Sequence, residues 1–195
     1  TEWRSELGLL SHRTFVYGAL SARENLLFWA RLHGLESPGD RVLEALAEVG
    51  LTEAADRPAR GFSRGMRQRL SLARTLLHDP ALVLLDEPFT GLDLHAAALL
   101  RAVLQRLRHG RRSVVLVTHQ LAEGIGLADR VAIQSRGRFA FLGAATDLPA
   151  GEEERFYRET VEGRIPLEGR IPVEGAVPAG GGPPAADGPL AETAP

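Results

Sequence analysis

Residues 62–93, FSRGMRQRLSLARTLLHDPALVLLDEPFTGLD, combine a polar turn, a basic helix, an apolar strand and a pair of carboxylates. Ser63 and Gly65 open the predicted helix. The free amides at its N-terminus and the serine hydroxyl form a potential anion site, and glycine allows a phosphate to approach the backbone closely. Serine is also a routine helix N-cap, so this feature alone is a weak signal. The sequence that follows it makes the interpretation specific.

Two carboxylates, Asp86 and Glu87, follow the apolar run at residues 81–85, which predicts a strand buried on both faces of a parallel sheet. Ligands of open α/β sheets collect beyond the carboxyl ends of the strands. An aspartate there can hold Mg²⁺, and the next carboxylate can polarise a water for in-line attack on a γ-phosphate. The alternative is a surface turn that happens to be acidic. The run LLDEP after an apolar strand favours the ligand site.

His119 follows the next predicted strand, at residues 113–117. Neighbouring parallel strands would place it beside Glu87, where an imidazole can hydrogen-bond a γ-phosphate oxygen and orient the attacking water. A lone histidine at a strand end is more often structural. The register with the two carboxylates favours the catalytic role.

The remaining pattern predicts alternating strands and helices, and therefore an α/β fold with a parallel sheet and right-handed crossovers. Ser21 and Glu24 form an S-x-x-E capping box at the start of one helix. The apolar residues of that helix cover more than one face, which indicates core packing or docking to a partner. The predicted strands are 7–10, 81–85, 113–117 and 131–134 with a hairpin at 138–142, and the other predicted helices are 40–49, 66–77, 95–107 and 121–127.

Composition limits the function classes. The chain has 195 residues, 44% of them hydrophobic, with a net charge of −2 and no cysteine. These values fit one ordinary domain in a reducing compartment, by default the cytoplasm, and give no sign of a nucleic-acid partner. No apolar run reaches the ~18–20 residues that span a bilayer. Residues 161–195 are rich in Gly, Pro and Ala, contain the repeat EGRIPLEGRIPVEG, and are expected to be disordered.

These motifs together resemble those of ABC-type ATPases. Residues 62–93 resemble the signature motif, Walker B strand and D-loop, His119 resembles the switch histidine, and the resemblance covers roughly residues 5–145. With SARENLLFWARLHGL at residues 21–35, the chain is most similar to the ATP-binding subunit of bacterial haem exporters of cytochrome c maturation, with multidrug-type subunits as near neighbours. The implied fold is a partial P-loop NTPase-like parallel sheet with an inserted helical subdomain at about 14–78, then a C-terminal helix at 146–160.

The resemblance also implies roles for individual residues. Asp86 would bind Mg²⁺, and Glu87 and His119 would be catalytic. The D-loop aspartate and the signature residues would contact ATP across a head-to-tail dimer, and a further residue lies where the family has its Q-loop glutamine. The implied nucleotide-binding residues are Ser63, Arg64, Gly65, Met66, Asp93 and, in the Q-loop position, His12. Arg64 and Met66 depart from the commoner glycine and glutamine of the signature motif.

One motif of such ATPases does not occur in the sequence. No G-x-x-x-x-G-K-[ST] pattern is present, and the chain contains no lysine to reach the β- and γ-phosphates. Because the sequence begins at Thr1 within patterned sequence, we expect a fragment lacking the P-loop part; a degenerate subunit that lends its signature motif to an intact partner is the alternative. In either case, we expect these 195 residues alone neither to bind ATP tightly nor to hydrolyse it.

Three functions are therefore open. The first is the ATP-binding subunit of an exporter on the inner face of the plasma membrane, using ATP and Mg²⁺, with a second ATP-binding subunit and a transmembrane permease as partners. The second is a non-transport ABC protein of DNA repair or ribosomes; such proteins carry coiled-coil insertions or tandem cassettes, and this chain has one cassette and no heptads. The third is a non-catalytic interaction module.

Overall fold

The computed structural model describes residues 5–11, 14–108 and 112–164, and the described part is a mixed α/β structure, which confirms the predicted class. No helix among these residues is both long enough and apolar enough to cross a bilayer. In chain order the elements are β1 Leu7–Leu10, α1 Ala22–Leu32, α2 Pro38–Glu48, α3 Arg64–Leu76, β2 Leu82–Asp86, α4 Leu94–Arg108, β3 Ser113–Val117, α5 Leu121–Leu127, β4 Arg130–Ser135, β5 Arg138–Ala144 and α6 Glu153–Val161, with single 3₁₀ turns at Thr52–Ala54, Ala59–Gly61 and Ala145–Asp147.

The parallel sheet has three strands in the order β1-β2-β3, with β2 in the centre. In the middle of the sheet Leu84 is paired with Leu9 on one side and with Val115 on the other. Helix α3 contacts β1 and helix α4 contacts β3. The core beneath the sheet includes Val83 and Leu85, which are 0% and 1% exposed. Both carboxylates of the predicted site thus stand at the carboxyl end of the central strand.

The prediction that β2 is buried on both faces is wrong. Its exposure alternates along the strand, and Leu82 is 36% exposed. The same open face carries Leu9, Val115 and Val117, with 46%, 49% and 57% of their surface exposed. The reason is that the helices α3 and α4 contribute to the core on one side of the sheet, whereas in the described residues the open face is left uncovered. The sequence of such a short apolar run does not distinguish a strand that is covered on one face from a strand that is covered on both.

The prediction that β4 continues the strand-helix alternation of the parallel sheet is also wrong. Strand β4 pairs antiparallel with β5 in a separate two-stranded sheet, with a bulge between Ile133 and Gln134. Arg136 and Gly137 both have positive φ, at 49° and 74°. Two such residues make a tight hairpin turn, which returns the chain against its own preceding strand. The predicted hairpin itself is present.

The helical half of the molecule, α1 to α3, has a continuous apolar interior. Leu26, Leu46 and Leu70, one from each helix, are at most 1% exposed. The capping box at the start of α1 forms as predicted, with Ser21 accepting from the Glu24 amide and Glu24 accepting from the Ser21 amide. The three helices therefore form a well-packed unit beside the sheet.

Two further predictions concern the C-terminal part. The predicted helix at 146–160 is replaced by a 3₁₀ turn and the shorter helix α6. Residues 161–164 belong to the end of α6 and the turn after it, and the remainder of the predicted tail, 165–195, lies outside the described residues.

Candidate active site at the carboxyl end of the sheet

Glu87 is held in place by backbone contacts at the end of β2. Its amide donates to the Val117 carbonyl at 2.9 Å, which ties the turn to the end of β3. Its φ of 49° lies in the left-handed region, where a residue with a side chain is uncommon and costs roughly 1–3 kcal/mol. A strained residue at a strand end is typical of a position that the surrounding structure fixes for function.

The Glu87 carboxylate accepts hydrogen bonds at both oxygens. One, Oε1, accepts from His119 twice, from the backbone amide at 2.9 Å and from Nδ1 at 2.8 Å. The other, Oε2, accepts from the Thr90 hydroxyl at 3.1 Å and the Thr118 hydroxyl at 3.4 Å. Because an ionised carboxylate only accepts, the imidazole proton lies on Nδ1, and Nε2 is left available to another partner.

This environment keeps Glu87 ionised. Burial by itself raises the pKa of the carboxyl, but the hydrogen bonds from the His119 ring, Thr90 and the His119 amide outweigh it, so the pKa lies below the ordinary 4.5. The Glu87 side chain is 29% exposed, and that of His119 is 71% exposed. The pair therefore presents a negative charge and a ring nitrogen at an accessible edge of the sheet.

Asp86 precedes this pair and shares its side of β2 with the open, uncovered sheet face. Among the described residues no group of three or more His, Cys, Asp or Glu is placed to hold a metal ion. Mg²⁺ is commonly bound by one or two carboxylates with waters and phosphate oxygens completing the shell. Asp86 fits the protein's share of such a site, and its metal role stays a prediction.

The predicted signature residues lie at the start of α3. Ser63 is the N-cap residue, and its hydroxyl accepts from the Met66 amide at 3.2 Å. Met66 itself packs partly against the core. The serine thus has a structural role within its own chain, and its hydroxyl proton is still available for donation to an anion.

The turn at residues 63–66, which is the predicted signature motif, contacts residues 90–93, which are the predicted D-loop, in the same chain. A Cβ added to Gly91, whose φ is 71°, would collide with the Arg64 guanidinium. A Cβ added to Gly65 would lie 3.0 Å from that of Ala96 in the first turn of α4. The Asp93 carboxylate accepts from the Ala96 amide at 2.8 Å and so caps α4. Arg64, Gly65 and Asp93 are thereby brought into one local cluster, and His12 lies outside the described residues.

Some contributing residues were not found by sequence reasoning. Thr90 and Thr118 share Oε2 of Glu87, and each lies next to a motif that the sequence did identify. A second missed contact is an ion pair between α4 and α5. Arg101 donates to the Glu123 carboxylate from Nε at 2.9 Å and from one terminal nitrogen at 2.5 Å. The two threonines could have been predicted, because hydroxyl side chains near a carboxylate at a strand end are potential hydrogen-bond donors to it. The Arg101–Glu123 ion pair could not, because it depends on how two helices pack.

Comparison with known proteins finds similar sequences. Residues 1–90 match the family model described as ABC transporter. The chain is 32% identical over 154 residues to the ABC transporter ATP-binding protein NatA of Bacillus subtilis. It is also 32% identical over 147 residues to the linearmycin resistance ATP-binding protein LnrL of the same species. The chain is thus similar in sequence to ATP-binding proteins of ABC transporters.

The matches to these ABC ATP-binding proteins cover 77% and 74% of this chain, but 63% and 47% of the respective relatives. A fluoroquinolones export ATP-binding protein of Mycobacterium tuberculosis is 35% identical over 147 residues, with 75% of this chain and 48% of that protein covered. The chain therefore spans about half to two-thirds of the length of these relatives.

Proposed function

We propose that this chain is part of the ATP-binding, ATP-hydrolysing subunit of an ABC transporter. The carrying observation is the Glu87–His119 pair, joined at 2.8 Å at the carboxyl end of the central strand and next to Asp86. An acid, a ring nitrogen and a second carboxylate at one sheet edge are the groups that water attack on a γ-phosphate requires.

The residues divide the chemistry among them. Glu87, kept ionised, orients the attacking water and takes up its proton, while the His119 Nε2, a lone-pair acceptor in the neutral ring, would donate to a phosphate oxygen once it carries a proton. Asp86 is the residue that would hold Mg²⁺, which when bound neutralises charge on the phosphates. Each hydrogen bond to Glu87 favours its charged form and so lowers its proton affinity. Movement of His119 from Glu87 toward phosphate would raise that affinity as the water attacks the γ-phosphate and releases its proton to Glu87.

The phosphate-cradling loop comes, in this proposal, from outside the 195 residues. The sequence has no P-loop pattern and no lysine. The open sheet face offers Leu9, Leu82, Val115 and Val117 to whatever covers it, and Asp86 lies at its carboxyl end. A covering segment that ends in a phosphate loop would complete both the apolar packing and the ATP site.

An exposed aromatic patch on the helical half supports a permease partner. Phe15, Tyr17, Phe28 and Leu32 are 51%, 48%, 44% and 65% exposed, and the Tyr17 and Phe28 rings meet edge to face at 5.3 Å. Clustered exposed apolar groups of this kind mark protein contacts. We propose that this patch docks the transmembrane subunit and places the chain peripherally on the cytoplasmic face of the membrane.

The dimer and the cargo are further parts of the proposal. Ser63 and its helix N-terminus would contact ATP held by a second ATP-binding subunit, arranged head to tail. For cargo, the motif resemblance favours haem, as in cytochrome c maturation. The names of two relatives, which refer to linearmycin resistance and fluoroquinolone export, favour the alternative of a drug.

Restoration of a P-loop tests the proposal. A segment that carries a G-x-x-x-x-G-K-[ST] loop would be joined in front of residue 1, and phosphate release from Mg-ATP would be measured for the joined protein and for the 195-residue chain. We expect turnover only in the joined protein. Glu87→Gln in the joined protein is expected to lower turnover by about 10²–10⁴-fold with ATP still bound.

Glu53→Gln, at an exposed position in the 3₁₀ turn Thr52–Ala54, is the matched control and is expected to leave turnover unchanged. Equal rates with and without Glu87→Gln would contradict the catalytic role. ATP binding without any turnover in the joined protein would favour the silent subunit that lends only its signature motif. Micromolar ATP binding by the 195-residue chain, measured by calorimetry, would contradict the external origin of the phosphate loop.

A further inference from the structure

Two histidines stack where the helical half meets the sheet. His33 is the C-cap residue of α1, and His78 follows the end of α3. Their ring centroids are 3.9 Å apart and the planes are 3° from parallel. The His78 Nε2 lies 3.2 Å from the Leu7 carbonyl at the start of β1. This stack therefore joins α1, the end of α3 and the first strand of the sheet.

The hydrogen bonding fixes the proton on His78. A carbonyl only accepts, so Nε2 donates to Leu7, and the neutral ring carries a lone pair at Nδ1. Nδ1 is buried and has no hydrogen-bond partner. A metal ligated by imidazole lies in the ring plane, so two stacked parallel rings cannot both bind one ion in this arrangement. The stack is thus a contact between two neutral rings and not a metal site.

The charged groups around the stack oppose a further positive charge. Arg74 of α3 lies over the Trp29 ring at 5.0 Å, and Trp29 in turn neighbours His33 at 6.5 Å. Arg41 of α2 donates to the Leu76 and Leu77 carbonyls just before His78.

Acidic groups near the stack are paired with arginines and not with the imidazoles. Arg41 is ion-paired with Glu44 at 3.4 Å and with Glu48 at 3.1 Å, and Asp79, the residue after His78, is ion-paired with Arg112. Among the hydrogen bonds and ion pairs of the described residues, neither stacked imidazole has a carboxylate partner. Arg74 is therefore the arginine whose charge opposes a proton on the stack, whereas the C-terminal end of α1 favours a cation at His33.

Burial and the nearby positive charge together lower the pKa of both imidazole rings. Partial burial of the ring in an otherwise exposed residue, then the Arg74 charge, holds the pKa of His33 below its ordinary 6.5. Burial, the His33 ring and Arg74 lower the pKa of His78, although its bond to Leu7 acts in the opposite direction. At neutral pH both rings are uncharged and can stack without repulsion.

We propose that the His33–His78 stack is a proton-operated clasp that holds the C-terminal end of α1 against the first strand and opens on acidification. The clasp is complete above the ordinary histidine pKa of 6.5 and is lost as the pH falls toward the depressed values of the folded chain. Its opening would loosen the helix that carries Phe28 and Leu32. This property belongs to the chain itself and does not depend on the transporter function.

Trp29 offers a local probe. The chain has two tryptophans, so Trp3→Phe leaves Trp29 as the only one. Its emission would be followed from about pH 8 to about pH 5, together with amide exchange at the end of α1, expressed as protection factors. We expect one transition with a midpoint below 6.5 and a loss of protection at the end of α1 across it.

His33→Phe is the decisive variant, because it keeps an aromatic ring in the stack and leaves His78, whose Nδ1 is buried, as the one ring of the stack that can take up a proton. It is expected to move the midpoint of the transition, because a protonated His78 then faces a neutral ring that cannot itself be charged. His33→Gln, which removes the ring, is expected to show low protection at every pH. His33 lies at an exposed position, and circular dichroism would verify the fold of both variants.

His95→Gln, at an exposed site in the first turn of α4, is the matched control and should leave the transition unchanged. A transition with an unchanged midpoint and unchanged protection in His33→Phe would overturn the proposal. The same holds for a wild-type chain without a transition, and for a midpoint above 6.5, which would mean that the stack stabilises the cation.

Discussion

The helical half and the sheet half of this molecule differ in how much of their apolar surface is buried. In the helical half, Leu26, Leu46 and Leu70 face one another in a closed interior. In the sheet half the core lies on one side, and the opposite face leaves Val115 and Val117 about half exposed. The catalytic candidates stand at the edge of the open half. The difference teaches that the three helices bury their shared interior within the described residues, whereas the sheet leaves one face uncovered there.

The largest contrast is expected between two apolar truncations. Leu70→Ala removes a side chain with 0% exposure and should cost about 2–5 kcal/mol of the free energy of unfolding, from lost contacts and a cavity. Val115→Ala, at a position 49% exposed on the open face, should cost at most about 1 kcal/mol. Urea unfolding at two protein concentrations measures both. An equal cost for Val115→Ala would mean that the open face is covered in solution.

A smaller contrast is expected between the N-caps of α1 and α3. Ser21→Ala breaks a reciprocal capping box and should cost about 1 kcal/mol. Ser63 makes one capping bond at an exposed site, so Ser63→Ala should cost about half as much. Shifts of the urea midpoint at constant slope give both values. A larger cost at Ser63 would show that the signature turn is more important to folding than the described contact indicates.

The smallest effect is a pH dependence at the sheet edge. Because the pKa of Glu87 is depressed in the folded chain, its stabilising contribution is present above the ordinary carboxyl value of 4.5 and is lost as the pH falls through the folded value. The melting-temperature difference between the wild type and Glu87→Gln should therefore shrink below pH 4.5. The exposed Glu53 provides the control, since Glu53→Gln should leave the acid limb of the wild-type curve unchanged. A difference that grows on acidification would be contrary to the assigned direction.

Local patterns predicted local structure well. The strands at 7–10 and 113–117 and the helix at 121–127 have the bounds that were predicted, and the capping box at Ser21 forms as its spacing indicates. Each of these depends on residues close together in the chain, where propensity and capping dominate.

Features set by distant partners could not be predicted in the same way. An apolar strand does not show which of its faces is covered, and β4 could not be assigned to a sheet before the turn at Arg136 and Gly137 was known to be tight. At the site, strand order was enough to bring Glu87 and His119 together. The hydrogen bonds from Thr90 and Thr118 to Glu87 depend on side-chain placement across loops. The same is true of the contact between Arg64 and Gly91.

The contact between Gly65 and Ala96 has a consequence for how such motifs persist in evolution. Any side chain at position 65 would press on Ala96, and Ser63 caps the helix that begins beside it. Selection for folding alone would therefore retain the glycine strongly and the serine only weakly, since the serine makes a single capping bond. A glycine at this position in a diverged relative is thus no evidence by itself of a nucleotide site.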